Sequence, residues 1–229
     1  MRLLMVDTAT IVASAAVIEE EKLVGEVIIN HQKKHSEKLL PAIDHLLMDA
    51  GLDISEIDAF GIVCGPGSFT GLRIGMATVK GFAQALNKPV VGVSTLEALA
   101  YNLPCAQGII CPILDAQRDQ VYTGVYQFID GCYETLLPDT VLSIEALIRH
   151  LSETTDGPIH VLGDGVPKYF ETMSEELDVY KALPYVRMNR ASSAAWLALE
   201  KLQNGQMQDY KTIEPMYIRP SYAEEQKKK

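Results

Sequence analysis

Positive charge is scarce in this sequence. Its 229 residues hold 20 lysines and arginines against 30 aspartates and glutamates, a formal net charge of −10. Unaided binding of a phosphate backbone needs a basic surface, so this balance excludes a chain that holds nucleic acid alone. The run Lys227-Lys228-Lys229 follows Glu224-Glu225 and reads as a frayed end. Long apolar runs are missing too, since none approaches the ~20 residues needed to cross a bilayer. The chain starts Met-Arg-Leu-Leu-Met-Val-Asp and enters a strand pattern at once, so no signal peptide is expected. Only four cysteines occur (Cys64, Cys105, Cys111 and Cys132), and their scatter offers no metal-ligand spacing. They are expected to be buried thiols in a reducing cytoplasm. Low-complexity linkers and internal sequence repeats are absent as well. With 48% apolar and 22% charged residues, what remains is an ordinary soluble globular composition, long enough for one large domain or two small ones.

Three extended segments open the chain: Arg2–Val6, Ile11–Ile18 and Leu23–Ile29. Turns at Asp7–Thr10 and Glu19–Lys22 separate them, which predicts a β-meander. A helix is expected from about Ser36 to Ala50, where Leu39, Leu40, Ile43, Leu46 and Leu47 recur at helical period and Gly51 ends the run. Strands at Asp58–Cys64 and Pro89–Val93 bracket a second helix, Thr70–Leu86, and a short third helix runs from Ser94 to Tyr101. A second part begins near Pro104. Ile109–Leu114 and Gln120–Phe128 read as a hairpin around Asp115–Asp119, with a further strand after Gly131. Ser143 caps a helix to Leu151, Ile159–Leu162 is a strand, a helix follows Gly165, and Ala191–Leu202 forms the last helix. Three strands, helix, strand, helix, then strands again fit a mixed α/β architecture rather than a simple doubly wound sheet.

The most informative stretch is Cys64-Gly65-Pro66-Gly67-Ser68-Phe69-Thr70-Gly71-Leu72-Arg73-Ile74-Gly75. A strand pattern runs into a glycine-rich turn that opens directly onto a helix. Such a turn brings backbone close to a neighbour, and the helix start offers unpaired N–H groups to an anion. It serves equally as a plain connector with Ser68 or Thr70 as N-cap. The Lys-Ser/Thr pair of a Walker loop is missing, and the glycine spacing does not fit a dinucleotide fingerprint.

The β-meander, the Asp-Thr turn after strand one and the Gly-Pro-Gly loop after a later strand resemble the actin–hexokinase–Hsp70 (ASKHA) fold, which is ribonuclease H-like and has two lobes. More narrowly, Val6-Asp7-Thr8, His35-Ser36-Glu37, the Gly65–Gly75 loop, Asp115-Ala116-Gln117-Arg118 through Val121-Tyr122, and Pro215-Met216-Tyr217-Ile218-Arg219 resemble the TsaB (YeaZ) family, once labelled a glycoprotease. The resemblance implies lobes at 1–103 and 104–220 and a flexible tail at 221–229. It also implies a role in making threonylcarbamoyladenosine, the tRNA modification next to the anticodon. In that pathway TsaC supplies threonylcarbamoyl-adenylate, TsaD transfers the group to tRNA, the ATPase TsaE joins, and TsaB is a non-catalytic partner of TsaD. The implied setting is cytoplasmic, with no intrinsic cofactor, tRNA reached only through the complex, and ATP or ADP expected only at the assembly with TsaD and TsaE.

TsaD-type enzymes carry His-x-Glu-Gly-His just after a Gly-Val strand end, with two histidines on one helix face for one metal ion. The matching stretch here is Gly92-Val93-Ser94-Thr95-Leu96-Glu97-Ala98-Leu99. Glu97 keeps its place, but Thr95 and Leu99 stand where the histidines would be, so transfer chemistry that relies on that metal is expected to be absent. His31 and His35 are also four apart, yet Lys33 and Lys34 between them oppose a dication. No Gly-x-Ser-x-Gly elbow surrounds Ser68. Asp7, Thr8, Gly65 and Gly67 are candidates for a vestigial nucleotide loop, and Asp7 serves equally as a turn residue. An independent ATPase or phosphotransferase built on these residues, and a metallopeptidase, are the competing readings.

Gly71 and Gly75 lie four apart on the second helix, with Thr78 and Phe82 beyond. A row of small residues admits a second helix, or the helix's own sheet. By the family resemblance the two early helices pair with TsaD, and with a second copy when TsaD is absent. His35, Leu39, Ile43, Leu46, Leu47, Gly71, Arg73, Gly75, Met76 and Lys80 are therefore expected at the partner interface.

Overall fold

Near-continuous apolar runs such as Leu3–Val6 and Ala59–Cys64 suit strands covered on both faces, and they form the centre of the first of two units. The computed structural model of the chain describes residues 1–31 and 35–218. One unit comprises Met1–Ala98 with Asn189–Met216, the other Leu99–Met188 with the chain from Tyr217.

In the first unit β1 (Arg2–Asp7), β2 (Val12–Glu19) and β3 (Lys22–Asn30) form an antiparallel meander. Next, β4 (Ala59–Gly65) joins β1 in parallel, with Val6 opposite Ile62, and β5 (Val90–Ser94) joins β4 in parallel. The order is β3-β2-β1-β4-β5. Strand alternation sorts side chains to two faces. Leu4, Val6, Ala15 and Val17 meet α1 (His35–Ala50) and α2 (Phe69–Leu86) in one core. Leu3, Met5, Ala16 and Ile18, of the opposite parity, are fully buried as well. Here α6 (Ala191–Gln203) packs on β1, β2 and β5, its inner face made of small, strongly helix-forming alanines (Ala194, Ala195, Ala198). Neighbouring residues of β3 show the two-sidedness: Gly25 lies against Leu46 of α1, while Glu26 accepts hydrogen bonds from the N–H and Oγ of Ser192 in α6.

The second unit repeats the plan. An antiparallel meander of β6 (Ile109–Asp115), β7 (Gln120–Ile129) and β8 (Cys132–Ser143) leads into α4 (Ile144–Thr154). Then β9 (Ile159–Leu162) pairs in parallel with β6, α5 (Val166–Ser174) follows, and β10 (Val179–Lys181) pairs in parallel with β9. The order β8-β7-β6-β9-β10 matches the first sheet strand for strand and direction for direction. This duplication is invisible as a sequence repeat, because each position asks only for an apolar residue of fitting size.

Several expectations change. The division at residue 103/104 does not hold as drawn: Asn189–Met216, α6 included, folds with the first unit, because its alanine face completes a sheet left bare on one side. Residues 219 and 220 and the tail at 221–229 lie outside the described residues, as do Lys33 and Lys34. Leu40 leaves the apolar stripe of α1 and is 51% exposed. Ser68, not Thr70, is the N-cap of α2, its Oγ accepting the Gly71 N–H at 3.2 Å; Ser143 caps α4 as expected.

The thiols also divide. Cys64 and Cys111 are buried, but Cys105 and Cys132 are exposed. Burial pushes the Cys64 and Cys111 thiols up to about 11, far from the thiolate form that reacts. Titration with a chromogenic disulfide reagent is expected to modify two thiols promptly in the native protein and the other two only after denaturation. Rapid native modification of more than two would contradict this burial.

Candidate functional site

In a parallel pair the strand ends emerge together, so the carboxyl ends of β1 and β4 bring Asp7 and Gly65 to one edge of the first sheet. In open α/β sheets this is the edge where ligands bind. The glycine loop follows β4 there, and α1 and α2 both start beside the Asp7–Thr10 turn. His35, the first residue of α1, donates from Nε2 to the Thr10 carbonyl at 2.8 Å. At the start of α2, the Ser68 N–H donates to the Ala9 carbonyl at 2.6 Å.

Asp7 is fully buried. Its Oδ1 accepts the Ala9 N–H at 2.8 Å and its Oδ2 accepts Nδ2 of Asn189 at 2.9 Å. Burial raises its carboxyl from 3.8 to about 6, against the lowering effect of those two bonds and of His35. Thr8 turns its hydroxyl to the Gly71 carbonyl at 2.7 Å. A Cβ at Gly71 would drive into the Thr8 carbonyl oxygen, one at Gly75 into the Thr8 hydroxyl, and one at Gly67 into the Ala9 carbonyl oxygen. At Gly65 it would strike the carbonyl of Met216, whose N–H donates to the Cys64 carbonyl at 2.7 Å.

The loop glycines therefore make room for the chain's own backbone. Of the four candidates for a nucleotide loop, Asp7 and Thr8 spend their side chains on internal bonds, while Gly65 and Gly67 are packed against Met216 and Ala9. The polar side chains of this loop are thus engaged within the protein itself. Asn189 and Met216 complete this arrangement from the far end of the sequence. Asn189 carries no local sequence signal, whereas Met216 falls within the Pro215-Met216-Tyr217-Ile218-Arg219 stretch that resembles the family.

The position of the metal-binding histidines is equally closed. Thr95 and Leu99, at the start and near the end of the short helix α3 (Thr95–Ala100), are buried, and Glu97 is paired with Lys201 at 3.0 Å. Among the described residues no group of three His, Cys, Asp or Glu side chains could hold a metal ion. In the second unit Asp115 ends β6 as Asp7 ends β1. Its Oδ1 accepts from the Gln117 N–H at 3.1 Å and the Tyr169 hydroxyl at 3.2 Å, with Lys168 at 3.5 Å. Gln117, Arg118 and Asp119 after it all take left-handed backbone angles.

Most of the residues expected at a partner interface point inward. Leu39, Ile43, Leu46, Leu47 and Met76 belong to the core, and Gly71 and Gly75 face Thr8. The helical period that suggested a docking stripe is the period by which each helix meets its own sheet. His35 and Lys80 are half-buried. Arg73 is exposed, its guanidinium stacked over the Phe69 ring at 3.8 Å. Exposed beside it on α2 are Ala77 and Gly81, and on α1 Leu40 and Met48, the latter 65% exposed.

Two meander-helix-strand-helix-strand units with this loop define an actin–hexokinase–Hsp70-like fold, and a hexokinase of the ROK class from Thermus thermophilus superposes with a TM-score of 0.51 at 14% identity, over 90% of this chain and all of that one. A family model described as TsaD, tRNA N6-adenosine threonylcarbamoyltransferase, matches residues 22–227. The tRNA threonylcarbamoyladenosine biosynthesis protein TsaB of Bacillus subtilis is 32% identical over 226 residues, 98% of this chain and 96% of that one. YeaZ from Pseudomonas aeruginosa, a solved structure, matches with a TM-score of 0.81 and 29% identity, over 94% of this chain and 99% of that one. The chain belongs to the TsaB (YeaZ) family.

Proposed function

We propose that this chain is a non-catalytic partner subunit in the making of threonylcarbamoyladenosine on tRNA, and that it binds and activates TsaD. The observation that carries this reading is the closed state of both places where chemistry would sit. The loop glycines are filled by Thr8, Ala9 and Met216, and the histidine places hold Thr95 and Leu99 beside Glu97, which is salt-bridged to Lys201. A scaffold that keeps the transferase's family likeness without its metal ligands has to act through a relative that has them. Nucleotide, on this reading, belongs to the assembly with TsaD and TsaE rather than to this chain's own loop. The charge of −10 supports a reading in which the partners make the tRNA contacts.

The surface proposed for TsaD is the outward side of α1 and α2, around Leu40, Met48, Arg73, Ala77 and Gly81. Nothing lies within 4 Å of a Cβ at Gly81, so this stretch of α2 offers a close approach to another helix. In the absence of TsaD the same face is proposed to close on a second copy.

Reconstitution with TsaC, TsaD, TsaE, their small-molecule substrates and tRNA is the direct test. Modified tRNA is expected only when this chain is included, and this chain without TsaD is expected to give none. Ala77→Arg, which points to solvent in the isolated chain, is expected to keep the native fold while capture of TsaD falls by about tenfold or more. Product formed by the isolated chain, or undiminished output when it is omitted, would end the proposal.

A further inference from the structure

After α6 the chain turns at Gly205, whose backbone is left-handed (φ 73°), and runs on to Met216 without forming a helix or a strand. Strand β5 is an edge of the first sheet, and this segment lies along it. The Gln208 N–H donates to the Val90 carbonyl at 2.8 Å, and the Val90 N–H to the Gln208 carbonyl at 3.0 Å. At the far end the Met216 N–H donates to the Cys64 carbonyl of β4. Between these ties Asp209 closes a turn. Its carboxylate accepts the Lys211 N–H at 2.8 Å, and its carbonyl accepts the Thr212 N–H at 3.0 Å and the Ile213 N–H at 3.2 Å. The turn sets Ile213, 1% exposed, into the core that holds Met76 and Val79 of α2. A Cβ at Gly92 of β5 would meet the Cys64 sulfur and come within 3.2 Å of Ile213 and 3.4 Å of Gln208, so β5 leaves room here for the segment. Among the described residues 204–216 Ile213 alone is buried; Tyr210 and Pro215 are half-buried and the others exposed.

We propose that residues 206–216 form a strap that undocks from the first unit as one piece while the sheet stays folded, uncovering the edge of β5 and the Gly65 end of β4. Local opening is easiest where few apolar side chains are buried and the backbone bonds lie near water. The strap meets both conditions, since Ile213 is its single deep anchor. The Asp209 turn is bonded within itself, so it leaves as a body once Ile213 withdraws. The Gln208 and Met216 bonds flank that anchor and are lost with it. The helices α1, α2 and α6 differ, because each buries a whole stripe of side chains. Docked, the strap covers an edge strand that would otherwise offer unpaired backbone groups. It also sets the Met216 carbonyl beside Gly65, at the edge where open α/β sheets bind ligands. The contact is therefore autoinhibitory: nothing approaches Gly65 from that side until the strap is released. The outward surface of α1 and α2 takes no part, so this inference is independent of the reading that places TsaD there.

Native-state hydrogen exchange of the full chain, followed amide by amide by NMR, tests this. The Val90, Gln208 and Met216 amides are expected to exchange through one shared opening, about a hundredfold less protected than the amides of the central strand β1. Ile213→Ala is expected to speed all three together by about tenfold or more. Ile213→Val, a smaller deletion that keeps the fold, is expected to speed them together by about threefold. Val17→Ala removes side-chain atoms from the same core on β2, which stays packed when the strap opens. It is expected to lower the protection of β1 and to leave the three strap amides unchanged. Strap amides as protected as β1, Ile213 variants that loosen one tie alone, or Val17→Ala speeding the strap as Ile213→Ala does would each overturn the proposal.

Discussion

Gly71→Ala is expected to cost the first unit about 3 kcal/mol or more, or to prevent its folding, while Gly81→Ala on the same helix is expected to add up to about 1 kcal/mol. Gly71 lies in the first turn of α2 and Gly81 in its interior, and neither takes a left-handed backbone angle that would require glycine. Their surroundings differ. At Gly71 a methyl group meets the Thr8 carbonyl oxygen, a backbone atom of a turn held by the Asp7 and Ser68 hydrogen bonds, and neither side can give way. At Gly81 it meets nothing within 4 Å, so only the entropic benefit of alanine remains. Urea unfolding of the two variants beside the parent measures both. A Gly71→Ala protein as stable as the parent would show that the helix does not press on the β1 turn. The glycine row would then be free for a ligand or a partner.

The second large effect lies in the carboxyl of Asp7. Its rise from 3.8 to about 6 on folding means that the native state holds the proton more tightly than the unfolded chain does. The stabilising contribution is therefore complete below pH 3.8 and is lost as pH rises through about 6. The difference corresponds to about 3 kcal/mol. Asp7→Asn cannot ionise, and its amide keeps an acceptor for the Ala9 N–H while the Asn189 amide turns to present its oxygen. Relative to this variant the parent is expected to lose about 3 kcal/mol between pH 3 and pH 7, with no further change above that. Denaturant midpoints across this range give the curve. A difference that stays flat would mean a hydrated Asp7 open to solvent, as a metal-nucleotide site would require.

Much of the fold was legible because local periodicity reports burial. The meander of β1–β3, the stripe of α1 and the Ser143 cap follow from alternation, helical period and capping chemistry, all local in the chain. Leu40 joined the stripe in sequence yet faces water, since a window of apolar residues does not say which edge of the stripe the sheet will cover. The strand β10, only Val179–Lys181, is too short to show a period. At the site, Thr95 and Leu99 could be read as departures from the histidine pattern straight from the sequence. The partner row could not. The spacing of Gly71 and Gly75 is the same whether a helix approaches another molecule or its own strand.

The sequence by itself determined the order of strands and helices, the acidic balance and the absence of histidines at 95 and 99, because these depend on residue type and near neighbours. Only the tertiary structure decided what the glycine loop encloses. The backbone of Thr8 and Ala9 fills it from one side and that of Met216 from another, while Asn189 reaches Asp7 across 182 residues of chain. Whether the missing side chain of a glycine leaves space for a ligand or for the protein itself depends on groups brought there by folding, and no local pattern records their arrival.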